Sequence, residues 1–160
     1  MSGDARAKTF LEQLADGTAP APALAITLGF KPVRFGDGMA VFGMDTDPAR
    51  HGNVMGTLHG GVIATLADSA MGFAFATTLE PDETFATLEM KVSFLRPVWK
   101  AALTASATVV QRGRTTGLVE CRVTDERDRL IAHATSTCLV LRGAQAEGRG
   151  LGDGKAAVDG

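Results

Sequence analysis

The chain has 160 residues, 45% of them hydrophobic and 21% charged, a length and composition that fit one domain. Folding at this size buries roughly 70% of the unfolded surface, so no disulfide or metal staple is needed. Sixteen Lys and Arg against 18 Asp and Glu leave a formal charge of −2, which argues against a general nucleic-acid binder. The two cysteines, Cys121 and Cys138, make neither a disulfide framework nor a four-ligand zinc site, so a reducing, cytoplasmic setting is expected. Residues 1–14 carry charges throughout and lack the apolar segment of a signal peptide.

Residues 5–16 have a short helical pattern, with Phe10, Leu11 and Leu14 on one side and Gly17 as the stop. A Pro/Ala connector covers 18–22. The alternation of Leu24, Ile26, Leu28 and Phe30 predicts a strand over 24–35. Gly36-Asp37-Gly38 then reads as a hairpin turn into a second strand over 39–44, and 45–56 reads as a loop. Residues 59–79 are apolar, with Asp68 as the sole formal charge. About 20 apolar residues can cross a bilayer, but a central acid costs roughly 2.5–3.5 kcal/mol there. The segment is therefore expected to be the buried helix of a globular domain. Strands follow over 87–96, 102–111, 116–125 and 130–141, and the glycine-rich residues 143–160 are expected to be disordered and without chemistry. The predicted organisation is a helix and connector over 1–23, a folded domain over 24–142 and a flexible tail over 143–160. A strand hairpin, one long helix and four consecutive strands imply an α+β domain, with an antiparallel sheet wrapped around the helix.

Chemistry concentrates between Asn53 and Asp68. His59-Gly60-Gly61 stands where the loop enters the helix, and the first amides of a helix lack internal partners and carry partial positive charge. Glycine there admits a ligand close to the backbone, and the amides can hold a carbonyl oxygen that gains negative charge. Two glycines can also simply shape a tight turn. Asp68 is flanked by Ala, Leu, Ile and Met, where a bare carboxylate is costly. Bonding to nearby Ser or Thr hydroxyls accounts for it structurally; a tuned base or nucleophile accounts for it functionally. Eight residues of helix separate Gly60 from Asp68 by about 12 Å, so one chain cannot aim both at one carbonyl. Two antiparallel copies about a twofold axis can.

The pattern N-x-x-G-x-x-H-G-G-x-x-x-x-L-A-D, residues 53–68, resembles the hotdog-fold acyl-CoA thioesterases of the phenylacetate-catabolism type. The resemblance extends over residues 24–141, including Arg96-Pro97. It implies a sheet of five or six strands around the central helix, dimers that pair into tetramers, and hydrolysis of an acyl-CoA thioester. Carried over by position, the Gly60 amide polarises the thioester carbonyl. Asp68 of the other chain activates water or attacks directly, Asn53 and His59 orient the substrate, and Thr87 helps position the water. Gly61 lies beside the same carbonyl. Water attack needs no metal or redox cofactor, in keeping with a sequence that has no metal-spaced His/Cys cluster. No G-x-S-x-G elbow is present to support a serine hydrolase.

Between Lys91 and Arg142 there are nine Lys/Arg against four Asp/Glu. Arg112 and Arg114, at a strand turn, are the first candidates for the phosphates of coenzyme A, followed by Arg96 and Lys100. Two competing readings are a hotdog enoyl-CoA hydratase or dehydratase, whose D-x-N-P-x-H motif is missing, and a non-catalytic acyl-CoA-binding module. The latter would need an attached effector domain, which the short tail after Arg142 does not provide. The sequence leaves the acyl group open.

Overall fold

A computed structural model describes residues 12–14 and 16–151. The helix expected over 5–16 lies mostly outside this range; residues 12–14 and 16 are helical. The ordered elements are α1 (Ala23–Leu28), β1 (Phe30–Gly36), β2 (Met39–Asp45), α2 (Pro48–His51), α3 (Gly60–Ala76), β3 (Glu83–Phe94), β4 (Ala102–Arg112), β5 (Thr116–Thr124) and β6 (Leu130–Arg142). The six strands form one antiparallel sheet in the order β1-β2-β4-β5-β6-β3, with α3 packed on one face. This is the expected α+β arrangement: a hotdog fold with a six-stranded sheet wrapped around one long helix.

The seat for α3 is built from small side chains. Ala67, Ala70 and Ala74 on the helix meet Ala105 and Ala107 of β4, Val119 and Cys121 of β5, and Ala134 and Cys138 of β6, all essentially inaccessible to solvent. Small residues on both sides bring the helix axis close to the sheet, and close packing supplies the cohesion. Larger groups fill the C-terminal end, with Phe42 against Phe73 and Phe75 against Phe85. At the C-terminal end of the helix, the Gly38 N–H of the β1–β2 turn donates to the Thr77 hydroxyl at 2.8 Å. The 17-residue helix spans about 25 Å, and no helix among the described residues is long and apolar enough to cross a membrane.

The strand expected over 24–35 is corrected. Residues 23–28 form α1, which ends at Gly29 in the left-handed conformation with φ of 77°, and only 30–36 is strand. Leu24 and Ile26 are 53% and 65% exposed, so their alternation marks no buried face; Ala25 is the residue that packs. The loop expected over 45–56 contains α2, begun by Asp47, whose side chain accepts from the Ala49 N–H. β3 starts earlier than expected. Its pairing with β6 skips Leu88, a bulge that leaves Leu88 56% exposed. The expectation that 143–160 is without structure is corrected for its first half: residues 143–145 form a 3₁₀ turn and Leu151 packs on the core, while 152–160 lie outside the described residues.

Glu83 ties three strands together. Its buried carboxylate accepts from Arg112 of β4 and Arg142 of β6, and also from the Glu80 N–H. Burial opposes ionisation of this carboxyl. The Glu80 amide and the two guanidinium groups outweigh it and hold Glu83 below the usual carboxylate range. Because the folded-state value is depressed, the stabilisation is present above the ordinary glutamate range and is lost as pH falls through the folded value. Glu83→Gln is expected to cost on the order of 3 kcal/mol in denaturant unfolding at pH 7, with a smaller difference from wild type in acid.

Candidate active site

The loop before α3 is fixed from several directions. The Leu58 N–H donates to the Val98 carbonyl at 2.6 Å and the His59 N–H to the His51 carbonyl at 2.8 Å. His51 is buried, and its Nδ1 accepts from the Asp47 N–H at 2.9 Å. His59 then caps α3: its backbone is extended, and its Nδ1 accepts from the Gly61 N–H at 2.9 Å. A neutral ring bonded in this way carries its proton on Nε2. The Gly60 N–H, at the first helical position, has no acceptor among the described residues. A Cβ on Gly60 would meet Phe94 Cζ at 3.0 Å, and one on Gly61 would meet His59 Nδ1 at 3.1 Å, so both positions favour the smallest residue.

Asn53 staples the preceding turn. Its Oδ1 accepts from the Met55 N–H at 2.9 Å and the Thr57 N–H at 3.2 Å, and its Nδ2 donates to the Thr57 hydroxyl at 2.9 Å. One Nδ2 hydrogen remains for another acceptor. The side chain shapes the approach to Gly60 whatever else it does.

Asp68 lies midway along α3 on the side that faces the β3 edge of the sheet. It borders an open cleft of about 190 Å³ with Ser69, Gly72, Phe73, Phe85, Thr87 and Leu151. Burial raises its carboxyl above the usual aspartate range, and the hydroxyl of Thr87 acts in the opposite sense by bonding the ionised form. Thr87 reaches this position because it pairs with Cys138 of β6, just before the bulge, so both side chains face the helix. The Cys138 thiol is itself pushed up, mainly by burial and further by the charge of Asp68.

Gly61 and Thr65, two turns and one turn earlier on the helix, border a second cavity of about 410 Å³ with Arg50, His51 and His59. The two openings form a stripe along the uncovered side of α3, with the unbonded Gly60 amide at one end and the acid near the middle. Within one chain, Gly60 and Asp68 stay about 12 Å apart along the axis. The structure thus brings His59, Gly60 and Gly61 together, with Asn53 in the turn before them, and separately Asp68 with Thr87.

The basic candidates divide. Arg112 is paired with Glu83, and its guanidinium lies 5.3 Å from the centre of the Phe75 ring. Its Nε is buried without a partner. Arg112 thus shares the single Glu83 carboxylate with Arg142 inside the fold. Arg114 is exposed at the β4–β5 turn, and its carbonyl accepts from Arg142. Arg96 and Lys100 are exposed on the segment that bonds Leu58 at the start of α3. Sequence reasoning assigned nothing to His51 beyond a loop position and nothing to Leu151. A histidine in a short turn and a leucine among glycines give no periodic signal.

The thioesterase superfamily model matches residues 55–132. A 1,4-dihydroxy-2-naphthoyl-CoA hydrolase of Listeria monocytogenes serotype 1/2a (strain 10403S) is 32% identical over 116 residues, covering 72% of this chain and 94% of the relative. The crystal structure of a thioesterase from Haemophilus influenzae superposes with a TM-score of 0.76 at 27% identity, covering 86% of this chain and 94% of that one. A mutant form of the phenylacetic acid degradation protein PaaI of Thermus thermophilus gives a TM-score of 0.70 at 30% identity, covering 75% of this chain and 100% of that one. With matching sequence and fold, the chain belongs to the thioesterase superfamily.

Proposed function

We propose that the protein hydrolyses an acyl-CoA thioester to a free acid and coenzyme A, in a site shared by two chains of a homodimer. The observation that carries this reading is the uncovered face of α3, which bears both an unbonded N-terminal amide and a desolvated acid too far apart to act within one chain. Antiparallel apposition of two such faces sets the Gly60 amide of one protomer opposite Asp68 of its partner, twice per dimer. Pairing of dimers into tetramers belongs to the same reading. The substrate is assigned by family membership together with this chemistry.

In the proposed reaction the Gly60 N–H, aided by the positive end of α3, stabilises the oxygen of the thioester carbonyl as negative charge builds on it. Asp68 either takes a proton from a water that attacks the carbonyl carbon or attacks that carbon itself, water then releasing the acid. In both routes a C–O bond forms, the C–S bond breaks, and the departing sulfur ends as the thiol of coenzyme A. Thr87 holds the water or the carboxylate in place. His59 fixes the Gly61 amide and offers Nε2–H to the substrate, while Asn53 holds the loop that presents both. Arg114, Arg96 and Lys100 supply charge for the coenzyme A phosphates, with Arg112 already engaged by Glu83.

Release of free thiol across a panel of acyl-CoA thioesters tests the assignment directly. Asp68→Asn is expected to lower kcat/KM at least ~100-fold on every substrate that the wild type turns over. Saturable binding with no thiol release, or hydration of an enoyl thioester in its place, would refute hydrolysis. The shared site has its own test. Gly60→Pro removes the amide at a helical position that accepts proline, after a residue already extended; its ring displaces the Phe94 side chain, so thermal unfolding checks the fold, and a folded variant is expected to lose ~100-fold or more in kcat. Mixing inactive Asp68→Asn and Gly60→Pro chains should restore about a quarter of the wild-type rate, since half the dimers are mixed and each mixed dimer has one intact site. A site within one chain would recover nothing.

Activity needs Asp68 ionised, so the acid limb of the kcat/KM profile should lie above the ordinary aspartate range, and Thr87→Val should move it to higher pH. The same raised carboxyl destabilises the fold when ionised. Asp68→Asn is therefore expected to stabilise the protein by roughly 1 kcal/mol at neutral pH, on the scale of exchanges of activity for stability. By linkage, that advantage should shrink as pH falls through the folded-state value, measured by thermal unfolding.

A further inference from the structure

After β6 the chain does not leave the domain. Gly143, with φ of 54°, opens a 3₁₀ turn, the Ala146 N–H donates to the Gly143 carbonyl at 2.9 Å, and Gly148, with φ of 69°, turns the chain again. The Thr84 hydroxyl of β3 then donates to the Arg149 carbonyl at 2.8 Å. Two residues later Leu151 packs on the core and forms one wall of the cleft that contains Asp68 and Thr87. Ordering a glycine-rich segment is entropically unfavourable, so the Thr84 bond and the burial of Leu151 must offset that cost.

The cleft is polar at one end and apolar elsewhere. Asp68, Ser69 and Thr87 supply the polar groups, while Phe73, Phe85 and Leu151 form the apolar walls. Gly72 keeps the floor low, since a Cβ there would meet Phe85 Cζ at 3.3 Å. Its volume of about 190 Å³ slightly exceeds the roughly 150 Å³ of an apolar cavity that accepts a six-carbon ring.

Resting on the reading of Asp68 as the hydrolytic acid, we propose that residues 143–151 form a strap that closes the acyl site, and that Leu151 is a specificity-determining residue. Its side chain sets the far wall against the acyl group whose carbonyl carbon sits at Asp68. The preferred substrates are thioesters of compact apolar acids of about six to eight carbon atoms. Longer chains meet Leu151 and must displace the strap.

The test is the ranking of kcat/KM over straight-chain acyl-CoA thioesters of increasing length, for the wild type, Leu151→Ala, Leu151→Trp, Thr84→Val and a chain ended after Ala146. The wild type should favour the compact acyl groups. Leu151→Ala, Thr84→Val and the shortened chain should raise the ratio of twelve-carbon to six-carbon kcat/KM by ~10-fold or more, and Leu151→Trp should lower it. Thermal unfolding of each variant separates this change from a loss of fold, because a merely weakened fold lowers all substrates together. Rankings that stay within about twofold of an active wild type in folded variants would remove the strap and leave the Asp68 chemistry standing. A wild type without turnover on any thioester would remove both.

Discussion

The structure depends on how closely α3 can approach the sheet. Alanines of the helix meet alanines and cysteines of the sheet, so the helix sinks into the curve of the sheet and loses one side to the core. A helix with no charged face of its own is thereby committed to two surroundings: the sheet on one side and an opening on the other. The opening is where Gly61 and the single acid lie. Bulkier residues in the seat would raise the helix and shift every group on its far side, so the packing of apparently inert alanines fixes the geometry of the chemistry.

The acid and the terminal amides place conflicting demands on the fold. A partly desolvated carboxylate and an unfilled N–H are both costs to a folded chain, and each is tolerated where a substrate or a second chain can satisfy it. Thr87 offsets the cost at Asp68 in part. His59 takes one of the first amides of α3 and leaves its neighbour open. The polar groups that are satisfied inside the chain thus prepare the ones that are not.

The loop-to-helix motif was legible because glycine, histidine and aspartate stand out against an apolar background, and their spacing on a helix translates directly into distance. The β4, β5 and β6 strands were legible for the related reason that one face of each is buried, so burial and sequence share a two-residue period. Where a segment has no such face, the pattern misleads. Leu24, Ile26 and Leu28 alternate by composition, yet they belong to a short helix ended by a left-handed glycine. Local sequence cannot show that Arg112 is paired with Glu83, 29 positions away. The first half of the tail was misread for the same reason: glycines signal freedom, while the Thr84 hydroxyl that restrains them lies on another strand.

β3 lies at the rim of the sheet, with one side of its backbone ladder unoccupied among the described residues. Such a rim can recruit any extended peptide, and proteins commonly interrupt it to prevent indiscriminate growth. The extra residue at Leu88 does so here, offsetting the repeat by one position between Thr87 and Glu89. An incoming strand must match that offset to continue the ladder past it, and a slip of one residue would turn its side chains to the wrong surface. The irregularity that follows Thr87 therefore works as a key, admitting one alignment at an edge that would otherwise accept many.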